Sequence, residues 1–172
     1  FGSRIRTGRE VRMTDWKQKL EEYRRQLQAM DAKEILAWSA REFGPDRVAL
    51  ATSFGAEDQV LTALAAAGSP RIRLLTLDTG RQYQETYDTM QRTMERYALS
   101  IEVFAPDARE IGEFVGAQGP NAMRNSIELR KTCCKLCKLN PLCRALATVD
   151  AWICGIRQEQ SVTRLDAQTI EW

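Results

Sequence analysis

The sequence has no long apolar run and little net charge. It contains no stretch of about 18 apolar residues that could cross a bilayer and no apolar core of a secretory signal, so we expect a cytoplasmic protein without membrane contacts. Its 25 basic and 23 acidic residues give a net charge of +2, which is too small to favour nucleic acid as a partner. What is present is 172 residues, 44% of them apolar, which is enough for one globular domain with a buried core.

The first twelve residues lack any apolar pattern. They are basic and precede Met13, and we expect residues 1–12 to be a tag-like or disordered tail. Residues 13–172 are predicted to form a single α/β nucleotide-binding domain. The sequence leaves the oligomeric state open, including a homo-oligomer.

Strand-like and helical segments alternate along this domain. Apolar residues recur at helical spacing over 14–41 with a break at Asp31, which predicts two amphipathic helices and an N-cap at Asp31. Strand-like runs follow in RVALATSFG, RIRLLTLDTG, SIEVFAPD and AWICGI, with helical sequence between them. This alternation predicts a mostly parallel sheet flanked by helices, with a ligand beyond the carboxyl ends of the strands where the strand order reverses.

The turn SFGAED follows the first predicted strand and opens a helix. The Ser53 hydroxyl and the free N–H groups of such a turn suit a phosphate, although a turn of small residues is commonly only a turn. Glu57 and Asp58 suit the helix dipole in their own right. The turn is not a Walker loop, because the Gly-Lys-Ser/Thr ending is absent.

Two further turns end predicted strands. In LDTG, Asp78 either caps a helix or belongs to a turn in which Thr79 and Gly80 let the backbone approach a ligand. In GIRQEQSVTR, Arg157 and Arg164 either pair with phosphate or sulfate oxygens or are solvated surface charges. Their position beyond a strand end favours the functional interpretation.

Four of the five cysteines lie within KTCCKLCKLNPLC. An odd, clustered count in a reducing compartment favours metal or redox chemistry over a disulfide framework. The neighbouring lysines, Lys131, Lys135 and Lys138, are expected to lower thiol pKa values and to offset the charge of a thiolate-ligated cluster. Adjacent cysteines project in different directions, which disfavours simple zinc.

Some of these cysteines have a structural alternative. A free cysteine commonly packs as a small hydrophobe, and we expect this of Cys154 in its strand. Asn140 and Pro141 are predicted to be the N-cap and first residue of a helix on which Cys143 packs.

SFGAEDQVL, LDTGRQYQETY, ELRKTCCKLCKLNPLCRAL and AWICGIRQEQSVTR, in this order, resemble the assimilatory adenylylsulfate reductases and their phosphoadenylylsulfate-reducing relatives. The resemblance implies an α/β fold of the adenine-nucleotide α-hydrolase-like class and binding of adenylylsulfate or AMP. The nucleotide-contacting residues that it implies are Ser53, Phe54 and Gly55 in the phosphate-binding loop, Leu77, Thr79, Gly80 and Gly155 around adenine and ribose, and Arg157 near the phosphate.

The same resemblance implies a cofactor. In the branch that uses adenylylsulfate, a double cysteine matching Cys133 and Cys134 ligates a [4Fe-4S] cluster, and a lysine matching Lys138 lies between cluster and sulfate. Relatives that require the 3′-phosphate usually lack the double cysteine, so its presence favours adenylylsulfate. In the family a cysteine thiolate attacks the sulfate sulfur, AMP leaves, and thioredoxin releases sulfite from the S-sulfocysteine, as a step of assimilatory sulfate reduction.

The sequence departs from this pattern at its C-terminal end. The family's downstream CxxC pair and the nucleophile of a motif similar to ECG(I/L)H are absent from the 172 residues, as is histidine. We therefore expect the nucleophilic cysteine beyond residue 172, in a chain truncated relative to the family. Cys137 stands where the family usually has a basic residue, and is either an additional cluster ligand together with Cys143 or no ligand.

Three alternatives to an adenylylsulfate reductase stay open at this point. One is a phosphoadenylylsulfate reductase, and another is a non-catalytic module that binds an adenine nucleotide or an iron-sulfur cluster. The third, an ATP-pyrophosphatase-type enzyme, is disfavoured because the first turn reads SFGAED rather than SGGxDS.

Overall fold

The computed structural model describes residues 13–68, 70–156 and 168–171. The elements in these residues are α1 (Met13–Leu27), α2 (Ala32–Phe43), β1 (Val48–Ala51), α3 (Ala56–Ala67), β2 (Arg73–Leu77), α4 (Gln84–Tyr97), β3 (Glu102–Phe104), α5 (Ala108–Gln118), α6 (Ile127–Cys134), α7 (Asn140–Leu146) and β4 (Ala151–Cys154). A 3₁₀ turn (Ala122–Arg124) precedes α6, and a π-helical turn (Lys135–Leu139) joins α6 to α7. No helix among the described residues is long and apolar enough to cross a membrane.

The described strands form one parallel sheet in the order β3-β2-β1-β4. The chain proceeds outward from β1 to β2 and β3, then crosses back to place β4 on the other side of β1. The strand order therefore reverses between β1 and β4, where open α/β sheets bind their ligands. The predicted parallel sheet flanked by helices is confirmed.

Helices cover both faces of the sheet. Val48 and Leu50 of β1 are fully buried on one face, and Ala49 is fully buried on the other, because successive strand residues point to opposite sides. The first face packs against α2 and α3 through Leu36, Ala40 and Ala65, and the second packs against α7 through Ala145. Both faces of β1 are thus inside the core, and only its carboxyl end opens toward solvent.

The predicted N-cap at Asp31 is confirmed. Its carboxylate accepts a hydrogen bond from Glu34 N at 2.8 Å, and Glu34 Oε2 accepts one from Asp31 N at 2.9 Å. This reciprocal pair is a capping box, which satisfies two N–H groups that the helix itself leaves without partners. The break at Asp31 therefore separates α1 from α2 as predicted.

The segment around Asn140 differs from its prediction. Asn140 has helical dihedral angles (φ −61°, ψ −49°), and its N–H donates to Lys135 O, five residues back. It is therefore inside a continuous helical segment and is not an N-cap; its side chain instead donates to Glu110 Oε2 at 2.9 Å. The predicted packing of Cys143 is also wrong, because this cysteine lies on the solvent-exposed side of α7.

Candidate functional site

A cleft of about 660 Å³ opens beyond the carboxyl ends of the strands. It is bounded by the turns that follow β1, β2 and β4, and by residues of α4, the π-helical turn and α7. The predicted contact residues that line it are Ser53, Phe54, Gly55, Leu77, Thr79, Lys138 and Gly155. Gly80 is exposed and does not line the cleft, while Arg157 and Arg164 lie outside the described residues. The structure therefore places residues from distant segments of the sequence at one cleft.

Asp58 organises the floor of this cleft. Its side chain is buried, and Oδ2 accepts hydrogen bonds from Ser53 N at 2.7 Å and from Ser53 Oγ at 2.6 Å. Its other oxygen, Oδ1, accepts from Gly155 N at 3.3 Å. One carboxylate therefore ties the turn after β1 to the turn after β4. The sequence interpretation assigned Asp58 only to the helix dipole. A signal for a further role was available, because Asp58 is the third residue of a helix whose N-cap, Gly55, has no side chain to cap it.

The turn after β1 has an unusual backbone at Phe54. Its φ is +65°, in the left-handed region that non-glycine residues rarely adopt. The Phe54 N–H donates to Thr52 Oγ1 at 3.1 Å, which holds this conformation locally. The chain thereby turns from β1 into α3 within the four residues 52–55.

The beginning of α3 is suited to an anion. Gly55 is its N-cap and makes no side-chain capping bond, and the first N–H groups of any helix have no partner within it. These groups and the positive end of the helix dipole favour a phosphate. The N–H and hydroxyl of Ser53 already donate to Asp58, so the first-turn N–H groups are the better phosphate donors in this conformation.

Asp78 shapes the turn after β2. Its Oδ1 accepts from Gly80 N at 2.8 Å and from the Tyr87 hydroxyl at 3.0 Å, and Gly80 has a φ of +70°. The hydrogen bond to the Asp78 carboxylate raises the pKa of Tyr87. Asp78 therefore folds the LDTG turn and does not cap α4, whose N-cap position is Tyr83.

Arg81 connects this turn to the cysteine-bearing helix. Its guanidinium donates to Pro120 O and to Asn121 Oδ1, the latter at 3.0 Å. Shortly afterwards Ser126 caps α6 by accepting from Leu129 N at 3.1 Å. The position of α6 relative to the LDTG turn is thus fixed by side chains that the sequence interpretation did not single out.

The thiols of α6 and the π-helical turn lie in different environments. Cys134 is exposed, whereas Cys137 is 5% exposed and its Sγ lies 3.9 Å from Sγ of Cys133. Burial, followed by the neighbouring Cys133, raises the pKa of the Cys137 thiol to about 11. The pKa of Cys137 is therefore raised, and not lowered by the neighbouring lysines as expected, because its side chain is buried while Lys135 and Lys138 are exposed.

The described residues alone do not provide a complete iron-sulfur site. They include all five cysteines, yet no three His, Cys, Asp or Glu side chains among them come close enough to hold a metal ion. A [4Fe-4S] cluster takes four protein ligands. Cys133 and Cys134 would therefore need further ligands from residues outside the described part of the chain.

The cleft also has an apolar wall. Met90 of α4, Leu142 of α7 and Trp152 of β4 line it, and Trp152 is 44% exposed. Such a wall suits the flat face of a heteroaromatic base. Cys154 also borders the cleft and is only partly buried, so it is not enclosed in the core as its apolar run suggested.

Comparison with known proteins relates this chain to one family of reductases. A family model described as the phosphoadenosine phosphosulfate reductase domain matches residues 47–172. The adenosine 5′-phosphosulfate reductase of Allochromatium vinosum is 41% identical over 141 residues, which are 82% of this chain and 54% of that protein. The protein of the same name from Burkholderia cepacia is 46% identical over 122 residues, which are 70% of this chain and 48% of that protein.

The fold has a match among solved structures. The phosphoadenylyl-sulfate reductase of Candida auris, in a phosphate complex, aligns with a TM-score of 0.70 and 22% identity, over 82% of this chain and 68% of that chain. This likeness confirms the predicted fold class. The chain spans about half the length of the curated relatives it matches.

Proposed function

The chain belongs to the phosphoadenosine phosphosulfate reductase domain family, and from this premise we propose that its protein reduces adenylylsulfate to sulfite and AMP. We further propose that the electrons come from a thioredoxin-type dithiol and that the reaction serves assimilatory sulfate reduction in the cytoplasm, where thiols stay reduced. The observation that carries the proposal is the position of Lys138, which directly follows Cys137 and lines the same cleft as the SFGAED and LDTG turns.

Each part of the cleft suits one part of this substrate. The first-turn N–H groups of α3 take the phosphate, because they have no partner in the helix and carry its positive dipole. The apolar wall that includes Met90 and Trp152 takes the adenine. Lys138 takes the sulfate, since an exposed ammonium at the cleft can neutralise its charge. Arg157 is proposed to assist at the phosphate and lies outside the described residues.

The proposed reaction is nucleophilic displacement followed by thiol exchange. A cysteine thiolate forms a bond to the sulfate sulfur, and the bond from that sulfur to the phosphate oxygen breaks with release of AMP. One thiol of the dithiol then attacks the cysteine sulfur and forms a mixed disulfide, and sulfite leaves with the bonding electron pair. The second thiol attacks the sulfur of the first, which forms the dithiol's own disulfide and releases the cysteine as a thiolate. Lys138 lowers the repulsion between thiolate and sulfate, the role that preorganised cations have in such reactions.

We also propose that Cys133 and Cys134 ligate a [4Fe-4S] cluster together with thiolates from outside the described residues. Such a cluster would add positive iron centres beside the sulfate subsite, and the exposed Lys135 and Lys138 would offset the charge of its thiolates. Iron and sulfide analysis of the full-length protein, prepared without oxygen, tests this. Iron bound by the wild type and lost in Cys134→Ser supports the ligand assignment, whereas iron-free wild-type protein contradicts it.

The decisive experiment for the substrate compares two lysines of the π-helical turn. Lys138→Ala should weaken adenylylsulfate binding by roughly 10-fold or more in calorimetry, because a charge-assisted hydrogen bond is lost, while AMP binding changes little. Lys135→Ala is the matched control, since Lys135 is exposed in the same turn but does not line the cleft. Equal losses for AMP and adenylylsulfate in Lys138→Ala would contradict a sulfate-facing lysine.

The same titrations separate the alternatives. If a 3′-phosphate on the nucleotide improves the affinity, the protein is a phosphoadenylylsulfate reductase rather than an adenylylsulfate reductase. If the full-length protein binds adenylylsulfate yet releases no sulfite with thioredoxin, the protein is a non-catalytic nucleotide-binding module. Sulfite release that requires thioredoxin supports the proposed reaction.

A further inference from the structure

Cys137 has no role in the proposed reaction, yet its environment is specific. It is 5% exposed, and its sulfur lies 3.9 Å from the sulfur of Cys133, which is partly exposed. The two residues are four positions apart, one in the last turn of α6 and the other in the π-helical turn. The two sulfurs are therefore at contact distance, and Cys133 is the member of the pair that a reagent in solvent can reach.

From this geometry we propose that Cys133 and Cys137 form a reversible disulfide when a low-molecular-weight disulfide such as glutathione disulfide is the oxidant. This proposal goes beyond the proposed function. Formation of the disulfide requires neither nucleotide nor iron. Cys134 and Cys143 are exposed, whereas Cys133 has its sulfur at contact distance from that of the buried Cys137.

The oxidation proceeds in two balanced steps. The Cys133 thiolate attacks one sulfur of glutathione disulfide, which forms a mixed disulfide and releases one glutathione thiolate. The sulfur of Cys137 then attacks the Cys133 sulfur, which forms the Cys133–Cys137 bond and releases the second glutathione. Two protons and two electrons leave the protein, and both electrons reduce the oxidant. Cys133 reacts first because Cys137 is buried.

The backbone between the two cysteines must adjust for this change. A disulfide needs about 2.05 Å between its sulfurs, so the 3.9 Å separation must shorten. Side chains four apart on a regular helix have Cβ atoms about 5–6 Å apart, farther than the ~3.8 Å of a disulfide. The π-helical turn that begins directly after Cys134 departs from regular helix geometry, and such turns are common where a helix has a functional adjustment to make.

The disulfide would have two local consequences. Cys133 could no longer act as a metal ligand, so disulfide formation and the proposed cluster are mutually exclusive. Lys138 directly follows Cys137 and lines the cleft, so tightening of the π-helical turn also moves the proposed sulfate-facing charge. Oxidation is therefore expected to weaken adenylylsulfate binding reversibly.

Peptide mapping tests the proposal directly. The purified chain is incubated with glutathione disulfide, quenched with iodoacetamide and digested with trypsin without reduction, and the iron in each sample is measured alongside. Trypsin cuts after Lys131, Lys135 and Lys138, so Cys133 and Cys137 fall in separate fragments, 132–135 and 136–138. We expect these fragments to appear joined, with the loss of two hydrogen atoms, and to separate on reduction.

Single serine variants identify the sulfurs. The joined fragments should persist in Cys134→Ser and in the matched control Cys143→Ser, and disappear in Cys133→Ser. In Cys137→Ser, Cys133 should retain glutathione, because no second thiol resolves the mixed disulfide. Joined fragments in Cys133→Ser would overturn the assignment. So would an iron-free wild-type sample in which Cys133 and Cys137 are alkylated while Cys143 carries glutathione, because the oxidant would then have reacted without forming the disulfide. Neither readout depends on nucleotide binding or sulfite release, so failure here is distinct from failure of the proposed function.

Discussion

The carboxylate of Asp58 accepts a hydrogen bond from the backbone N–H of Gly155, 97 positions later in the chain. The two residues face each other at the point where the strand order reverses, and the other carboxylate oxygen holds both the N–H and the hydroxyl of Ser53. A Cβ at position 155 would lie only 2.5 Å from Asp58 Oδ1. The close approach of the turn after β4 to α3 therefore depends on a glycine and on a single buried carboxylate.

Gly155→Ala is expected to destabilise the protein and to weaken nucleotide binding. The new methyl group would also lie 3.1 Å from Glu57 Cβ and 3.2 Å from Asp58 N, so backbone must move. Overpacking of this kind costs about 1–3 kcal/mol in the free energy of unfolding, measured by urea denaturation. AMP affinity should fall as well, because the displaced turn lines the cleft.

The control for this substitution is Gly112→Ala. Gly112 is inside α5, and a Cβ there would have no heavy atom within 4 Å. Alanine in a helix interior should stabilise by about 0.5–1 kcal/mol relative to glycine and leave AMP binding unchanged. Equal stability of Gly155→Ala and the wild type would show that the contact between Asp58 and the turn after β4 is not tight in solution.

Asp58→Asn tests the charge of this carboxylate at nearly constant shape. The amide retains one acceptor oxygen, but its nitrogen cannot accept, so the NH2 group of this buried side chain would face a donor of Ser53 or Gly155 and lack an acceptor there. Leaving such a group unsatisfied costs about 1–3 kcal/mol, and thermal unfolding would measure the loss. Asp88→Asn, at an exposed side chain that accepts from Gln84, is the surface control, with an expected change within about 0.5 kcal/mol.

The sheet was predictable because its evidence is local. Val48–Ala51 and Arg73–Leu77 are short apolar runs followed by turn residues, and helical sequence separates them. Period and turn chemistry suffice for such elements. The N-cap role given to Asn140 failed because the π-helical turn before it continues the helix, and an inserted turn of this kind leaves no local composition signal.

The lining of the cleft was predictable in part, for a topological reason. Turns that end parallel strands meet at one edge, so Ser53, Thr79 and Gly155 were brought together correctly. The bond from Gly155 to Asp58 and the clamp from Arg81 to Asn121 are long-range contacts. No pattern within a short window specifies such partners, because they lie 40 and 97 positions apart in the chain and meet only in the folded domain.

Glu102→Gln should give a stability loss that depends on pH. Both oxygens of Glu102 accept from Arg73, each at 2.7 Å, and this hydrogen bonding lowers the pKa of Glu102 despite partial burial. A carboxylate whose folded pKa lies below its unfolded value of about 4.3 stabilises the fold fully above that value. This contribution is lost as pH falls through the lower pKa of the folded state.

The size of this effect is limited by solvent. The Glu102 side chain is 43% exposed, so the variant should lose only about 0.5 kcal/mol at neutral pH. Urea titrations at a series of pH values should show the difference from wild type shrinking toward zero below about pH 4, near the carboxyl titration range. Glu113→Gln, in the more exposed pair with Arg109, should show no measurable loss at neutral pH. If the stability difference between Glu102→Gln and the wild type grew on acidification, a lowered pKa of Glu102 would be contradicted.

Trp152 offers an optical test of the cleft. It lies on β4, lines the cleft and is 44% exposed, so a base stacked on the apolar wall should quench its fluorescence. Titration with AMP is expected to lower the emission of the wild type, and Trp152→Phe should remove this decrease. Phenylalanine preserves an aromatic surface, so the AMP affinity measured by calorimetry should fall by less than about 10-fold. A 10-fold loss would correspond to the free energy of one complete aromatic stacking contact.

Trp38 is the matched control for that titration. It is buried between α1 and α2, where its Nε1 donates to Gln26 and its ring packs edge-on against Tyr23, and it does not line the cleft. Trp38→Phe should reduce the total emission but preserve the fractional decrease caused by AMP. If Trp152→Phe retained the full decrease, the base would lie elsewhere than on the wall formed by β4. The adenine would then have to occupy the opposite side of the cleft, against Tyr87 and the LDTG turn, where Tyr87→Phe would be the variant that changes AMP affinity.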